Sequence, residues 1–391
     1  MYKIQTLNKI SSKGLDLFSH ADYEVASELS TPDAIILRSF KMHDMELPKS
    51  LKAIGRAGAG TNNIPIDACS EKGIVVFNTP GANANAVKEL VLTGMLIASR
   101  NIVAGVNWAQ SLKNEGDSVP ALVEKGKGQF NGCELAGKTL GVVGLGAIGA
   151  LVANDALALG MKVIGYDPYL SVDAAWELSS HVQKATGLET LLGKVDYLTI
   201  HVPLLDSTKG MYNAEKFAMM KSGVKIMNFA RGELINNADM IEALKSGKVS
   251  TYVTDFPSVD LLGVDGVIPV PHLGASTDEA EENCAIMASR QLKDFLETGN
   301  IVNSVNFPNC VLPLRPNLKR LLIANKNIPN MISEMTSLLA KNGINIYDML
   351  NKSRGDVAYT IIDTEDKVSQ DMIEKIGAID GVKMVRMISL G

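Results

Sequence analysis

Two residue types in this chain suggest acid–base chemistry on an anion. Among its five histidines, His272 follows the apolar run Val267-Ile-Pro-Val-Pro and precedes a turn, so it ends a predicted strand. Arg231 also ends an apolar run and is followed by Gly232. A histidine can take the proton of an alcohol, and an arginine fork can hold a carboxylate with two bonds. The pair predicts a site that acts on a hydroxy acid.

The other histidines are weaker candidates for a base. His201 also ends a predicted strand, but no converging set of polar residues follows it. His20, His43 and His181 lie in polar surroundings and are predicted at the surface. A lone histidine is more often structural, so the prediction for His272 depends on Arg231 sharing its sheet edge.

A glycine-rich turn predicts where a nucleotide binds. Gly144, Gly146 and Gly149 form a G-x-G-x-x-G between an apolar strand and a helical segment that runs from Ala147 to Leu159. The first glycine allows a tight turn, the second lets backbone approach a pyrophosphate, and the third lets helix pack on strand. The phosphates would accept bonds from the N–H groups that open the helix.

The next predicted strand, which starts at Met161, ends in the acid Asp167. Its carboxylate can accept hydrogen bonds from both hydroxyls of an adenosine ribose and would repel a 2′-phosphate. Pro168 and Tyr169, which follow, supply no cation for that phosphate. The pattern therefore predicts NAD rather than NADP.

Cations also stand at predicted strand ends near the N-terminus. Arg38 and Ser39 follow one apolar run. Arg56 ends the next apolar run, and Gly58 follows it. In parallel sheets, ligands bind outside the carboxyl ends of the strands. Each residue alone could reflect ordinary loop polarity, but two arginines at equivalent ends suit an anionic substrate.

Composition excludes several classes of function. The 391 residues are 46% apolar and 21% charged, with a net charge of −5, which is ordinary for a globular protein and argues against a nucleic-acid partner. The longest uncharged stretch, 139–154, is shorter than the ~20 residues that span a membrane, so no membrane partner is expected. The four cysteines are scattered, which predicts buried thiols in the cytoplasm rather than disulfides or a metal site.

The order of predicted elements gives the fold class. Strands alternate with helices through residues 1–98 and 99–285, which predicts two doubly wound parallel sheets in an α/β protein. A helix from Asp278 to Glu297 is expected to cross back, so that 286–310 joins 1–98 in one domain. Residues 311–318 are predicted as a linker, and 319–391 as a small α+β domain of order βαββαβ, which is ferredoxin-like.

Four motifs together resemble those of the D-isomer-specific 2-hydroxyacid dehydrogenases: Gly144 to Gly149, Tyr166 to Pro168, Asn228 to Gly232, and Pro271 to Thr277. Gly55 to Asn63 and Asn78 to Pro80 resemble the family members that oxidise D-3-phosphoglycerate, the first step of phosphorylated L-serine biosynthesis. The resemblance covers nearly the whole chain. It implies a Rossmann-type NAD domain inserted in a flavodoxin-like substrate domain.

The resemblance also implies roles for single residues. Arg231 would bind the substrate carboxylate, and His272 would be the acid/base. The family pairs this histidine with a glutamate five residues beyond the strand-ending aspartate; here that count runs from Asp255 to Asp260. Asp260 is thus the predicted partner, unless it is an ordinary loop acid, and Asp255 would contact the nicotinamide.

Further contacts follow from the same resemblance. Gly58 would bind the substrate carboxylate through backbone N–H groups, and Arg38, Ser39 or Arg56 would bind the phosphate. The remaining cofactor contacts are implied at Ala147, Ile148, Pro203, Ala230 and Gly274.

The C-terminal domain resembles ACT domains, which bind amino acids in pairs, often L-serine. Their usual loop reads His-x-Asn-x-Pro-Gly, and here it reads Asn325-Lys-Asn327-Ile-Pro329-Asn330. Asn345 matches the position that contacts the effector across the domain interface. The resemblance implies L-serine as an effector and a homodimer or homotetramer, while a purely structural or oligomerising module is the alternative.

Two other functions stay open at this point. The chain could be another D-2-hydroxyacid dehydrogenase, such as a glyoxylate or hydroxypyruvate reductase. It could also be a non-catalytic regulator that senses NAD, although such a protein is expected to have a degraded site, and Arg231 and His272 are both present.

Overall fold

The computed structural model describes residues 1–365 and 368–389, which form two compact units. Unit 1 holds Met1–Ala82 with the described residues from Asp278 onward, and unit 2 holds Asn83–Thr277. The boundaries expected from the sequence were 98/99 and 285/286. They differ because each boundary helix belongs as a whole to one unit, where its apolar face is buried: the helix from Ala84 in unit 2 and the helix from Asp278 in unit 1.

Unit 1 begins with a sheet of five parallel strands in the spatial order β2-β1-β3-β4-β5. This is the flavodoxin-like order of doubly wound sheets, as predicted. β3 and β5 are buried at every residue, as expected for a sheet covered on both faces. Its elements are β1 (Tyr2–Leu7), α1 (Ser12–Leu15), β2 (Tyr23–Ala26), β3 (Ala34–Leu37), β4 (Ala53–Arg56), α2 (Ile66–Glu71) and β5 (Val75–Phe77).

Unit 2 contains a sheet of seven parallel strands in the order β12-β11-β10-β9-β6-β7-β8. The chain reverses direction across the sheet between β6 and β9, the Rossmann-type switch point where nucleotides bind, so the fold prediction is confirmed. Its elements are α3 (Ala84–Arg100), α4 (Ile102–Ser111), α5 (Val119–Gly126), β6 (Thr139–Val143), α6 (Ala147–Ala158), β7 (Lys162–Tyr166), α7 (Val172–Glu177), β8 (Gln183–Lys184), α8 (Leu188–Leu192), β9 (Tyr197–Ile200), α9 (Ala214–Met219), β10 (Val224–Asn228), α10 (Asn237–Lys245), β11 (Val249–Thr254) and β12 (Val267–Pro269).

The sequence analysis did not predict α4 and α5. Neither helix buries a residue, and both are additional to the strand–helix alternation on which the fold prediction rests. In the part of the chain that the structure describes, no single helix is long and apolar enough to cross a membrane. The helices Ala84–Arg100 and Ile102–Asn114 reach that length and apolarity only when they are counted together, and a bend of 63° separates them.

The rest of unit 1 follows in the chain. The long helix α11 (Asp278–Thr298) packs on the first sheet, and a four-stranded antiparallel sheet of order β14-β15-β13-β16 comes last. The predicted order βαββαβ is confirmed. Its elements are β13 (Lys319–Lys326), α12 (Met331–Lys341), β14 (Ile346–Arg354), β15 (Val357–Thr364), α13 (Gln370–Gly377) and β16 (Val382–Ser389).

Both faces of this last sheet are buried. On one face, Leu321 and Ile323 form an apolar cluster with residues of α12 and α13. On the other face, Leu322 and Tyr359 share a cluster with Phe295 of α11 and with the first sheet. The segment predicted as a linker, 311–318, contributes Leu312 and Leu318 to that second cluster. The C-terminal domain is therefore packed onto the first sheet within unit 1.

Candidate active site

The glycine-rich turn joins β6 to α6 at the switch point of the second sheet. Gly144 has a φ of +89°, and a side chain there would lie 2.6 Å from the backbone oxygen of His201. A side chain on Gly149 would lie 1.9 Å from the backbone oxygen of Gly144. A side chain on Gly146 would instead meet nothing within 4 Å. The turn thus excludes side chains where it packs and leaves open space at the helix start, where Ala147 and Ile148 lie, as a pyrophosphate requires.

Asp167 lies just beyond β7, next to this turn. Its two carboxylate oxygens accept the backbone N–H groups of Leu145 and Tyr169, each at 2.8 Å. A cavity of about 350 Å³ opens beside it, and Pro168 and Lys184 also line that cavity. Lys184 was missed by the sequence analysis, which considered only the residues directly after the acid. The fixed carboxylate and the cavity fit an adenosine ribose.

Arg231 follows β10 and is oriented by the last residue of that strand. The Asn228 side chain is fully buried; its Nδ2 donates to the backbone oxygen of Arg231 at 2.9 Å and its Oδ1 accepts the N–H of Ala230 at 3.2 Å. The guanidinium of Arg231 is exposed, and its Nη1 donates to the backbone oxygen of Ala230 at 2.6 Å. A buried amide thus holds an exposed arginine at the carboxyl edge of the sheet.

His272 follows β12 and is exposed, with a φ of +45°. Few residues other than glycine adopt this left-handed backbone, and such outliers cluster at functional sites. Its backbone N–H donates to the backbone oxygen of Asp255 at 3.1 Å, and its ring packs edge-on against Phe256, with centroids 4.9 Å apart. The imidazole is therefore presented outward from a constrained backbone.

Asp255 follows β11, between the two strands that end in Arg231 and His272. Only 1% of it is exposed, and its Oδ2 accepts the backbone N–H of Gly274 at 3.1 Å. Its Oδ1 has no hydrogen-bond partner within the described residues. Burial raises the pKa of this carboxyl, and the Gly274 bond and the charges of His272 and Arg231 oppose that rise. The unpaired oxygen fits a donor brought by a ligand, such as the carboxamide of a nicotinamide.

Asp260, the predicted partner of His272, has other side-chain partners. It is exposed, and hydrogen bonds from the side chains of Ser258 and Asn237 lower the pKa of its carboxyl. Both of these neighbours line a cavity of about 860 Å³ that His272 and Asp255 also line. Asp255 thus interacts electrostatically with His272, whereas the side-chain bonds of Asp260 are to Ser258 and Asn237.

His201 fits the role of base less well than His272. Burial lowers the pKa of His201 to about 4, and its Nε2 lies 2.9 Å from the hydroxyl of Thr199. At neutral pH this imidazole is uncharged, and its Nε2 is already paired with the hydroxyl of Thr199. Pro203, a predicted cofactor contact, follows it at the same edge of the sheet.

The predicted phosphate-binding residues share the carboxyl edge of the first sheet. Leu37 of β3 is in register with Arg56 of β4, so Arg38 and Arg56 leave neighbouring strands at equivalent points. Arg38 forms an ion pair with Glu281 of α11, a residue that the sequence analysis missed. A side chain on Gly58, whose φ is +150°, would lie 1.9 Å from Nη1 of Arg56.

Ser39 lies beside them, and its backbone N–H donates to Oδ1 of Asn8 at 3.2 Å. The structure thus brings all four predicted residues of unit 1 to one edge: Arg38, Ser39, Arg56 and Gly58. In the described ranges, 1–365 and 368–389, no group of three His, Cys, Asp or Glu side chains could hold a metal ion.

The predicted effector residues lie at two ends of the C-terminal sheet. Asn325 is buried near the end of β13, and Nδ2 of Asn327 donates to the backbone oxygen of Gly355 at 3.0 Å. Asn325 pairs with Ala358, near the start of β15. Asn345 is exposed just before β14, and the first residue of β14 pairs with Thr364, at the other end of β15. One C-terminal domain therefore does not bring the three asparagines together.

Comparison with known proteins places these features in context. Residues 92–274 match the sequence profile described as D-isomer specific 2-hydroxyacid dehydrogenase, NAD binding domain. The D-3-phosphoglycerate dehydrogenase of Haemophilus influenzae is 30% identical over 358 residues, which cover 88% of this chain and 83% of that protein. The D-3-phosphoglycerate dehydrogenase of Methanocaldococcus jannaschii is 36% identical over 80% of this chain, but the chain spans only 59% of that relative's length.

A solved structure is similar as well. The NAD⁺-bound 3-phosphoglycerate dehydrogenase of Entamoeba histolytica superposes with a TM-score of 0.61 at 27% identity. The match covers 78% of this chain and 98% of that one.

Proposed function

The chain belongs to the D-isomer-specific 2-hydroxyacid dehydrogenase family, and from that premise we propose that it oxidises D-3-phosphoglycerate to 3-phosphohydroxypyruvate, reversibly, as the first step of phosphorylated L-serine biosynthesis. The observation that carries the proposal is the cluster of Arg231, Asp255 and His272 at the ends of three adjacent strands. The relatives named as phosphoglycerate dehydrogenases support the choice of substrate.

The residues of the cluster have different roles in the reaction. NAD, the cofactor, supplies the hydride acceptor. The Arg231 fork binds the substrate carboxylate and so orients C2. The His272 imidazole takes the proton of the C2 hydroxyl as the C2 hydrogen leaves with its electron pair, and in the reverse direction the imidazolium returns that proton to the carbonyl oxygen.

An acid stabilises the imidazolium that forms on His272. The buried carboxyl of Asp255 interacts electrostatically with His272, and we assign it this role in addition to the predicted contact with nicotinamide. Asp260, at the position of the family's glutamate, is the alternative partner. The two can be separated by substitution, as argued below.

The phosphate is assigned to Arg38, Ser39 and Arg56, and charge neutralisation tests this. We expect Arg38→Gln or Arg56→Gln to raise the KM for D-3-phosphoglycerate about 10- to 100-fold, the loss typical of one hydrogen bond to a charged group. The KM for D-glycerate, which lacks the phosphate, should change little. Initial rates with the two substrates measure this.

Arg290→Gln is the matched control, because Arg290 is an exposed arginine of the same unit on α11. It should leave both KM values unchanged. Equal losses with D-3-phosphoglycerate and D-glycerate would refute the phosphate assignment and indicate that these arginines bind the carboxylate.

We also propose L-serine as an effector of a homodimer or homotetramer. Asn325 and Asn345 lie at opposite ends of one C-terminal sheet, so an effector that contacts both needs two copies of the chain. Light scattering with and without L-serine tests this proposal, and a monomer that does not respond to L-serine would contradict it.

A cytoplasmic location is proposed from the thiols. Cys69, Cys133, Cys284 and Cys310 are all free, which suits a reducing compartment. Three are buried, as predicted, and Cys133 is half-buried.

A further inference from the structure

An open cleft of about 520 Å³ lies within unit 1, and none of the residues given a role above lines it. It has three walls: the loop after β5 with Asn78, the segment 303–309, and the turn from β14 to β15 with Ser353 and Arg354. The lining residues carry one guanidinium and no carboxylate. The cleft is therefore electropositive and large enough for a small organic ligand.

Arg354 supplies the charge. Its Nη1 donates to the backbone oxygen of Ser304 at 2.8 Å, and it makes no ion pair with any other described residue. A guanidinium has five N–H donors in a fixed fork, so one bond to a carbonyl positions the group and leaves most donors for a ligand. Carboxylates and phosphates match this fork best.

The wall that Arg354 contacts is held by further hydrogen bonds. Oγ of Ser304 donates to the backbone oxygen of Val76 at 3.0 Å, and Nδ2 of Asn306 donates to that of Ile74 at 2.9 Å. These bonds fix the segment along β5. Oδ1 of Asn309 accepts the N–H of Asn303 at 3.0 Å, which orients the amide and leaves its NH₂ group as a further donor.

The third wall connects the cleft with the predicted substrate-binding loop. Nδ2 of Asn78 donates to the backbone oxygen of Ala59 at 2.6 Å, and Ala59 directly follows Gly58. The amide has a second N–H, so a ligand that accepts it binds the same side chain that holds Ala59. Binding in the cleft would thus alter how the loop of residues 58–60 is held.

We propose that this cleft is a regulatory site for a small organic anion, a carboxylate or phosphorylated acid, bound by Arg354, Asn309 and Asn78, which changes substrate affinity through residues 58–60. The binding part is independent of the proposed function, and only the effect on substrate affinity rests on it. The site shares no residue with the proposed effector site of Asn325, Asn327 and Asn345.

Titration calorimetry of the purified chain tests the binding part, with citrate in one arm and inorganic phosphate in the other. We expect Arg354→Gln to weaken binding of one or both at least about tenfold, as loss of a charge-assisted bond does. Arg315→Gln is the matched control, since Arg315 is an exposed arginine near the same domain that does not line the cleft. Both variants keep Arg38, Arg56 and Arg231, so their difference reports the cleft alone.

A second variant tests the site independently, in case Arg354→Gln does not fold. Asn309→Asp keeps the acceptor for the N–H of Asn303 and adds a negative charge to the cleft, so it should abolish binding. Wild-type affinity for both anions in Arg354→Gln and Asn309→Asp would overturn the proposal. Loss with citrate alone assigns a carboxylate site, and loss with phosphate alone assigns a phosphate site.

The regulatory part has its own readout. The KM for D-3-phosphoglycerate should shift when the bound anion is added to the wild type and to Arg315→Gln, and should stay constant in Arg354→Gln. Binding without any shift in KM would overturn the regulatory role. Binding in a chain that oxidises no phosphoglycerate would uphold the cleft and refute the proposed function instead.

Discussion

Opposing electrostatic effects act on the side chain of Asp255. It is almost fully buried, one of its oxygens is unpaired within the described part of the chain, and Arg231 and His272 are the charged groups that act on it. Burial disfavours the carboxylate and raises its pKa, while the two neighbours favour its charge. A carboxylate kept charged in this way stabilises an imidazolium more strongly than one in water.

The role of Asp255 is tested against that of Asp260 by matched substitutions. We expect Asp255→Asn to lower kcat about 100-fold or more, within the range of acid–base catalysis, because the imidazolium that forms on His272 loses a negative neighbour. Asp260→Asn should lower kcat less than about tenfold, because its carboxylate is bonded by Ser258 and Asn237. The reverse order of effects would make Asp260 the partner of His272.

The residue types of the site could be predicted from the sequence, but not all of its pairings. Arg231 and His272 could be predicted because each follows an apolar run, which marks the end of a strand. The end of a parallel strand places the side chain at the ligand-binding edge of the sheet. The choice between Asp255 and Asp260 depends on how the loop after β11 folds, which spacing along the chain does not determine. Glu281 and Lys184 were missed because their partners are distant in sequence.

Among the elements, β13 and β15 are joined by a buried ion pair that also holds the end of α11. Nε and Nη2 of Arg320 donate to Asp363 at 2.7 and 2.8 Å, with both side chains fully buried. The same guanidinium donates to the backbone oxygens of Thr298, Leu312 and Pro313. Arg320 thus ties β15, the end of α11 and the segment before β13 together.

Removing the acid of this pair should destabilise unit 1. Asp363→Asn leaves the Arg320 charge buried without its counter-charge, which costs about 3–5 kcal/mol in comparable buried pairs. Asp380→Asn is the control, because Asp380 is an exposed acid of the same domain. Urea unfolding measures both variants, and a loss no larger than that of the control would contradict the role given to this pair.

The sequence held a sign of this packing that the domain prediction did not use. Every residue of β15 is buried, and an apolar run without alternation is typical of a strand covered on both faces. The βαββαβ order predicted the sheet and its helices, whereas the partner on the second face is formed by residues far away in the chain.

For the whole molecule, the two doubly wound sheets follow from the alternation of strands and helices, and both observed strand orders confirm the predicted fold. The exposed helices α4 and α5 are additional to this alternation, so the alternation does not predict them. Stability of the whole chain depends further on buried titratable groups, of which His201 has a strongly displaced pKa.

Acid should therefore destabilise unit 2. Because the pKa of His201 is about 4 in the folded chain and about 6.5 when unfolded, the unfolded state binds the extra proton between these values. Stability is retained above pH 6.5 and falls as the pH drops toward 4, by at most about 1.4 kcal/mol per pH unit. His201→Gln should flatten this limb of the unfolding free energy, whereas His43→Gln, at an exposed position, should not. An unchanged limb in His201→Gln would contradict the assignment.

The central claim is that this chain oxidises D-3-phosphoglycerate with NAD, and NADH formation by the purified chain tests it most directly. The substrates are D-3-phosphoglycerate, D-glycerate and other D-2-hydroxy acids, with His272→Asn as the inactive control, since asparagine tolerates the left-handed backbone at that position. We predict NADH from D-3-phosphoglycerate with a kcat/KM at least about tenfold above that for D-glycerate, the discrimination that one charged contact provides, and loss of about 100-fold or more in His272→Asn. Equal or faster turnover of an unphosphorylated acid, or NAD binding without NADH from any of the substrates, would contradict the claim.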